Sequence, residues 1–191
     1  MNVGIVVEGV NDYRSYPALI RRIRDDIDQT QVRECGGKHK LKGRFLDCLD
    51  EVSKNPAWQI ELGVVIRDSD CSPPQPIENQ LRNILNASKL KPKFRVEIFA
   101  IPCLLESWLL SDLQAIQHVA AQRGHGGVAA LNLPIPNIHD PNDKELFLRV
   151  LSHHRLAAIP GVYEEIARIA DLDRIKQRCA YFREFVRRIR T

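Results

Sequence analysis

Long hydrophobic runs are missing from this 191-residue sequence. The richest apolar stretch, Phe99 to Leu110, is broken by Pro102 and Glu106. It falls well short of the roughly 18 residues a membrane helix needs, so no membrane association is expected. The opening MNVGIVVEG has neither a basic leader nor a small-residue cleavage site, so no secretory signal peptide is expected. Cysteine is sparse and scattered. Cys35, Cys48, Cys71, Cys103 and Cys179 form no CxxC pair, and an odd count argues against both a disulfide framework and a zinc ribbon. A reducing, cytoplasmic setting is the expectation that follows. No GxxxxGK[ST] occurs, so the chain should not hydrolyse ATP through a P-loop. Ser69 and Ser111 have no convincing histidine base, which argues against a hydrolase triad. There is no internal repeat.

What is present belongs to an ordinary globular domain. Apolar residues make up 44% and charged residues 27%, which excludes a disordered chain. Net charge is +4, from 28 basic and 24 acidic residues, too mild to predict nucleic-acid binding by itself. Its distribution says more. Arg174 to Arg190 is rich in basic residues against the single Glu184, and Lys38, Lys40, Lys42 and Arg44 follow Gly36-Gly37. The ordinary reading of such clusters is a solvated face; the functional one is contact with phosphates.

Strand and helix patterns alternate. Val3–Val7 is a β-branched run that reads as a strand buried on both faces. Asn11–Asp28 follows with helical spacing, with Pro17 as a candidate true start. Gln31–Cys35 reads as a short strand, and Lys38 to Arg44 as a basic loop before a helix at Gly43–Ser53, ended by Asn55-Pro56. Leu62–Arg67 is a strand, Ile77–Ala87 a helix and Phe94–Ile101 a strand, with helices from about Leu105 to Gln122. Gly124–Asn142 reads as a long loop, and Asp143–His153 and Val162–Ile189 as helices broken near Asp171. Four strands separated by helices imply a parallel sheet with right-handed crossovers. Residues 1–122 form the expected α/β domain, with 123–191 a loop and helical extension packed on it. Phe182, Phe185, Val186 and Ile189 make one apolar stripe, which should pack on the body. Arg183, Arg187 and Arg190 share another face, without matching acids in the sequence reading.

In an open parallel sheet, ligands gather at the carboxyl ends of the strands. Here those ends carry acids. The first strand runs into Glu8-Gly9 with Asp12 beyond, the third into Asp68-Ser69-Asp70, and the fourth through Pro102 toward Glu106 and Asp112. Each acid alone is a weak signal, since a carboxylate after a strand is often the cap of the following helix; Glu8, which directly continues an apolar strand, is the hardest to read that way. A bare carboxylate at the depth of Glu8 needs a partner, and no lysine or arginine flanks it in sequence. Crowded carboxylates repel, and a hard divalent cation relieves that repulsion. Oxygen ligands without nearby His or Cys favour Mg2+ or Mn2+ over zinc.

Val7-Glu8-Gly9 with Asp12, Asp68-x-Asp70 after a later apolar strand, and Glu106-Ser-Trp-Leu-Leu-Ser-Asp112 together resemble the TOPRIM domain. The closer similarity is to stand-alone TOPRIM-like proteins found beside ATPases in prokaryotic defence loci, related to the TOPRIM nuclease domain of OLD-family nucleases. That resemblance implies a TOPRIM-like, mostly parallel four-stranded α/β sheet flanked by helices. It implies that Glu8 is a metal ligand or general acid/base, that Asp68 and Asp70 are metal ligands, and that Asp12 and Glu106 are further acidic ligands. It makes Lys144 the candidate catalytic lysine, with Lys38 a competitor. It also implies a separate ATPase protein as partner.

The leading expectation is therefore a Mg2+- or Mn2+-dependent nucleic-acid phosphodiesterase, an endonuclease acting on DNA before RNA and serving as the effector of a prokaryotic defence system. Lys38, Lys40, Lys42, Arg44, Arg183, Arg187 and Arg190 are the expected backbone contacts. Two alternatives stay open: a toxin-like ribonuclease, and a non-catalytic regulatory or binding subunit whose acids dock a partner. The sequence leaves the oligomeric state open, a homodimer included.

Overall fold

The computed structural model describes residues 1–54, 58–102, 104–128 and 140–191, and the side chains of Lys38 and His39 also fall outside that description. The expected helix stop at Pro56, the residue Cys103 and most of the expected loop over 124–142 thus lie outside the described residues.

Four strands, β1 (Asn2–Val7), β2 (Gln29–Glu34), β3 (Ile60–Asp68) and β4 (Arg95–Ile101), form one parallel sheet in the order β2-β1-β3-β4. The central strands β1 and β3 are the near-continuous apolar runs, as strands covered on both faces must be. Val6 lies opposite Val65, and Asp68 opposite Ile101. Around the sheet lie α1 (Val10–Ile23), α2 (Lys38–Ser53), α3 (Pro74–Ala87), α4 (Leu105–Leu109), α5 (Leu113–Ala120), α6 (Asp143–His153), α7 (Pro160–Ile169), α8 (Leu172–Arg178) and α9 (Ala180–Arg190). This is the mostly parallel four-stranded α/β sheet flanked by helices that the sequence implied. No helix among the described residues is long and apolar enough to cross a membrane.

The pleat divides the core in two. Val3, Ile5 and Val7 of β1, with Val64 and Ile66 of β3, pack with α1, α4 and α9. Val6 and Val65 face the other way, onto Phe45 and Leu49 of α2 and Leu81 of α3. The expected apolar stripe of α9 is buried, with Phe182 and Phe185 each against Trp108 at ring separations of 4.7 and 5.2 Å. Arg188 fastens the same helix to β4: its guanidinium bonds both Glu97 and Glu78 and lies 4.0 Å above the Phe99 ring.

Three local expectations are corrected. Helix α1 starts at Val10 rather than Pro17, and ends at Ile23 rather than Asp28. Pro17 removes only the bond to the Tyr13 carbonyl, and Tyr13 lies on the exposed face, where solvent can replace it. The early end frees Asp28 to donate its backbone N–H to the Met1 carbonyl, which brings β2 alongside β1. The basic segment Lys38 to Arg44 is not a loop but the first two turns of α2. Gly36 and Gly37, with φ of +82° and +102°, reverse the chain within two residues, and Leu41 buries itself to anchor the first turn. Finally, Cys71 is disulfide-bonded, whereas Cys35, Cys48 and Cys179 are free and buried. Turns after strands bring distant positions together, and cysteine spacing does not reveal that.

Candidate metal-binding active site

At the carboxyl edge of the sheet, each acid arrives by a different route. Glu8 directly follows β1 and is 8% exposed. Gly9 makes the turn into α1, and its N–H donates to Asp12 Oδ2 at 3.0 Å. Asp12 therefore does cap the start of its helix, as the ordinary reading had it. Asp68 closes β3, and Ser69 extends the pairing by donating its N–H to the Ile101 carbonyl. Asp70 then sits exposed in a left-handed conformation, φ +48°, followed by Cys71 at +61°. Two successive non-glycine residues in that region bend the chain sharply away from the strand. Glu106, in the first turn of α4, is buried and accepts a hydrogen bond from the Tyr163 hydroxyl at 3.1 Å.

Electrostatics tie these acids together. Burial pushes the Asp12 carboxyl up to about 7, with the charges of Glu106 and Glu8 adding to the rise. The Gly9 N–H and Lys144 oppose it. Lys144, exposed in the first turn of α6, is thus within electrostatic reach of the cluster. Asp68 is raised well above the carboxylate range, by burial first and then by Asp12, Glu8, Glu106 and Asp70. Tyr16 and Tyr163 are likewise pushed up, by burial first and by these acids second. The buried Tyr16 hydroxyl has no hydrogen-bond partner among the described residues.

The cluster is coupled without being a finished chelate. Among the described residues, no three His, Cys, Asp or Glu side chains are grouped closely enough to hold a metal ion. The acids act on one another across that spacing. Asp68 has the parity of Val64 and Ile66, on the α1 face, and feels the charges of Asp12, Glu8 and Glu106 in that order. Glu8 has the parity of Val6, on the α2 face. There it meets a residue that sequence reading missed. Arg67 Nε stands 3.4 Å from Glu8 Oε1, with the two side chains only 16% and 10% exposed. The signal lies in the register. Val6 pairs with Val65, so the next step of the same parity sets Glu8 beside Arg67. That inference requires knowing that β1 and β3 are neighbours.

The donor set fits a hard divalent cation. It is all oxygen, it carries negative charge that burial penalises, and the orphaned Tyr16 hydroxyl is a buried polar atom among the same acids. Asp112, in contrast, is structural: it binds Arg174 at 2.9 Å and the Asp171 N–H at 2.8 Å.

The expected phosphate contacts are distributed differently. Lys40, Lys42 and Arg44 are exposed on α2, and Arg44 donates to the Cys35 carbonyl. The Lys38 side chain lies outside the described residues. On α9, the arginine row does have partners. Arg187 makes a two-pronged pair with Glu184, Arg183 donates to the Lys176 carbonyl, and Arg190 donates to the Ile23 carbonyl. Helical spacing put Glu184 one turn before Arg187, but the carbonyl acceptors come from tertiary packing.

No protein-family model and no curated protein sequence matches the chain. Among solved structures, the chain is similar to the C-terminal region of the Xanthomonas campestris pv. campestris OLD protein phased with iodine. The TM-score is 0.50 at 18% identity, over 98% of this chain and 93% of that one. The mercury-phased structure of that region gives 0.49 and 17%, over 98% and 94%. The C-terminal region of the Burkholderia pseudomallei OLD protein gives 0.48 and 16%, over 96% and 98%. At 18% identity the iodine-phased structure establishes a shared fold over nearly the whole chain.

Proposed function

We propose that the chain is a divalent-metal-dependent phosphodiesterase acting on nucleic acid, DNA before RNA. One observation carries this reading. Acids from three separate strand ends, Glu8 and Glu106 buried and Asp12 and Asp68 half-buried, repel one another at the carboxyl edge of a parallel sheet. The TOPRIM-like fold, shared with an OLD-protein C-terminal region, supports it.

Asp12, Asp68, Glu106 and Asp70 would draw together to hold Mg2+ or Mn2+, since no three of them are grouped without the ion. When bound, such a cation offsets the carboxylate charge and polarises a phosphodiester. Glu8 would join as a ligand or as the acid/base, with Arg67 holding its carboxylate in place. Lys144 would meet the phosphate from α6. Lys38, Lys40, Lys42 and Arg44, at the start of α2, and Arg183, Arg187 and Arg190, on α9, would contact the backbone. A separate ATPase protein, in a prokaryotic defence system, is the partner this reading implies.

The test is plasmid nicking with Mg2+ or Mn2+ against an EDTA control. Asp68→Asn should abolish nicking while its circular dichroism matches wild type. Full activity in Asp68→Asn, or unchanged nicking in EDTA, would overturn the reading. The Arg67–Glu8 pair supports a second reading, in which Glu8 is already neutralised and the edge is a non-catalytic docking surface. Stoichiometric Mn2+ binding, lost in Asp68→Asn, separates the two.

A further inference from the structure

A cleft of about 670 Å³ runs between α1 and α7 along the outer edge of β2. Its wall is built by helical spacing. Arg14, Pro17, Ala18 and Arg21 fall at i, i+3, i+4 and i+7, one stripe of α1 distinct from its core stripe of Tyr16, Leu19, Ile20 and Ile23. The two short residues form a floor and the two arginines stand at either end. From Arg14 to Arg21 is about 10 Å of helix axis.

The cleft is strongly positive. Arg14, Arg21, Arg22 and Arg168 line it against one carboxylate, Glu164. Arg168 and Arg14 share that carboxylate. Arg21 donates to the Thr30 hydroxyl, and Arg22 to the carbonyls of Ala167 and Ala170. Those acceptors are neutral, so they orient the guanidinium groups without cancelling their charge. Thr30 and Val32 belong to β2, an edge strand that pairs only with β1.

Sequence neighbours connect the cleft to the acid cluster on both sides. On α1, Asp12 belongs to the cluster and Tyr13, 42% exposed, to the cleft. On α7, Tyr163 bonds Glu106 and Glu164 lines the cleft. The cleft and the acid cluster therefore draw on the same two helices.

We propose that this cleft is the path of single-stranded nucleic acid leading away from the acid cluster, an inference that rests on the nucleic-acid reading above. Arg21 and Arg168 meet backbone phosphates, and the exposed Tyr13 ring stacks on a base at the mouth. A concave path walled by two helices suits an unpaired strand, and a free aromatic face needs an unstacked base.

The experiment is fluorescence anisotropy of a labelled dT20 oligonucleotide with the full chain in EDTA, where no metal-dependent cleavage intervenes. Wild type should bind with a linear dependence of log affinity on log salt. Arg21→Gln with Arg168→Gln should weaken binding at least tenfold, and make the slope shallower by about 1.4, for two single-strand phosphate contacts. Tyr13→Ala should weaken binding roughly tenfold and leave the slope unchanged, because stacking releases no counterions. All three side chains are exposed, and matching thermal midpoints will verify folding. If wild type binds dT20 but these variants match it in affinity and slope, the cleft is not the path, and the metal-site reading stands. If wild type binds neither dT20 nor a duplex of the same length, the nucleic-acid reading fails along with the cleft.

Discussion

At the scale of single residues, the edge of the sheet stores electrostatic repulsion. Asp12 and Asp68 both have carboxyls raised by burial and by neighbouring acids. A raised carboxyl means the folded state keeps a proton that the unfolded chain has already lost. Its contribution is fully present below about pH 4 and disappears as pH rises through the folded value, about 7 for Asp12. The metal-free protein should thus have a lower urea midpoint at pH 8 than at pH 5. Asp68→Asn in EDTA should raise the pH 8 midpoint and narrow that gap. Added Mn2+ should stabilise wild type more at pH 8 than at pH 5, where protons compete for the same oxygens. Equal midpoints at the two pH values would mean that the acids do not interact.

Arg67 makes the opposite prediction. It is the fixed cation beside Glu8, and neither side chain is more than one-sixth exposed. Arg67→Gln should cost about 3 kcal/mol, since breaking such a pair leaves a buried charge. Glu8→Gln in the same chain should recover part of the loss, and a double-mutant cycle by urea denaturation measures how much.

At the scale of elements, α9 is held by aromatic packing, with arginines at its margins. Phe185 lies 4.6 Å from Phe99 and 5.2 Å from Trp108, ring to ring. Phe185→Ala should cost about 3–5 kcal/mol by denaturant titration. The triple Arg183→Gln, Arg187→Gln, Arg190→Gln variant should change stability through lost carbonyl and Glu184 bonds. It should flatten the salt slope of dT20 binding less than the Arg21, Arg168 pair does, because its guanidinium groups lie outside the cleft. The apolar stripe of α9 was legible because a period of 3.6 depends on sequence alone. The start of α2 was not. Lysines and Gly43 resemble a loop until two glycines with positive φ turn the chain directly into a helix.

At the scale of the molecule, fold and site were legible to different degrees. Alternating β-branched runs and amphipathic helices determined the α/β class, the parallel sheet and the helical C-terminal segment. Local chain chemistry specifies each of these, and right-handed crossovers leave few ways to join them. The sequence also determined which residues stand at the strand ends, since an acid after an apolar run has nowhere else to be. Only the tertiary structure decided how those acids face. Strand order and register set Glu8 against Arg67, while Asp68 takes the parity of Val64 and Ile66 on the other face of the sheet. The cleft between α1 and α7 was decided at the same level, because Arg168 of α7 joins Arg14, Arg21 and Arg22 of α1 only when the two helices pack. Periodicity and end position are properties of a segment; partnership is a property of segments brought together, and no single segment encodes it.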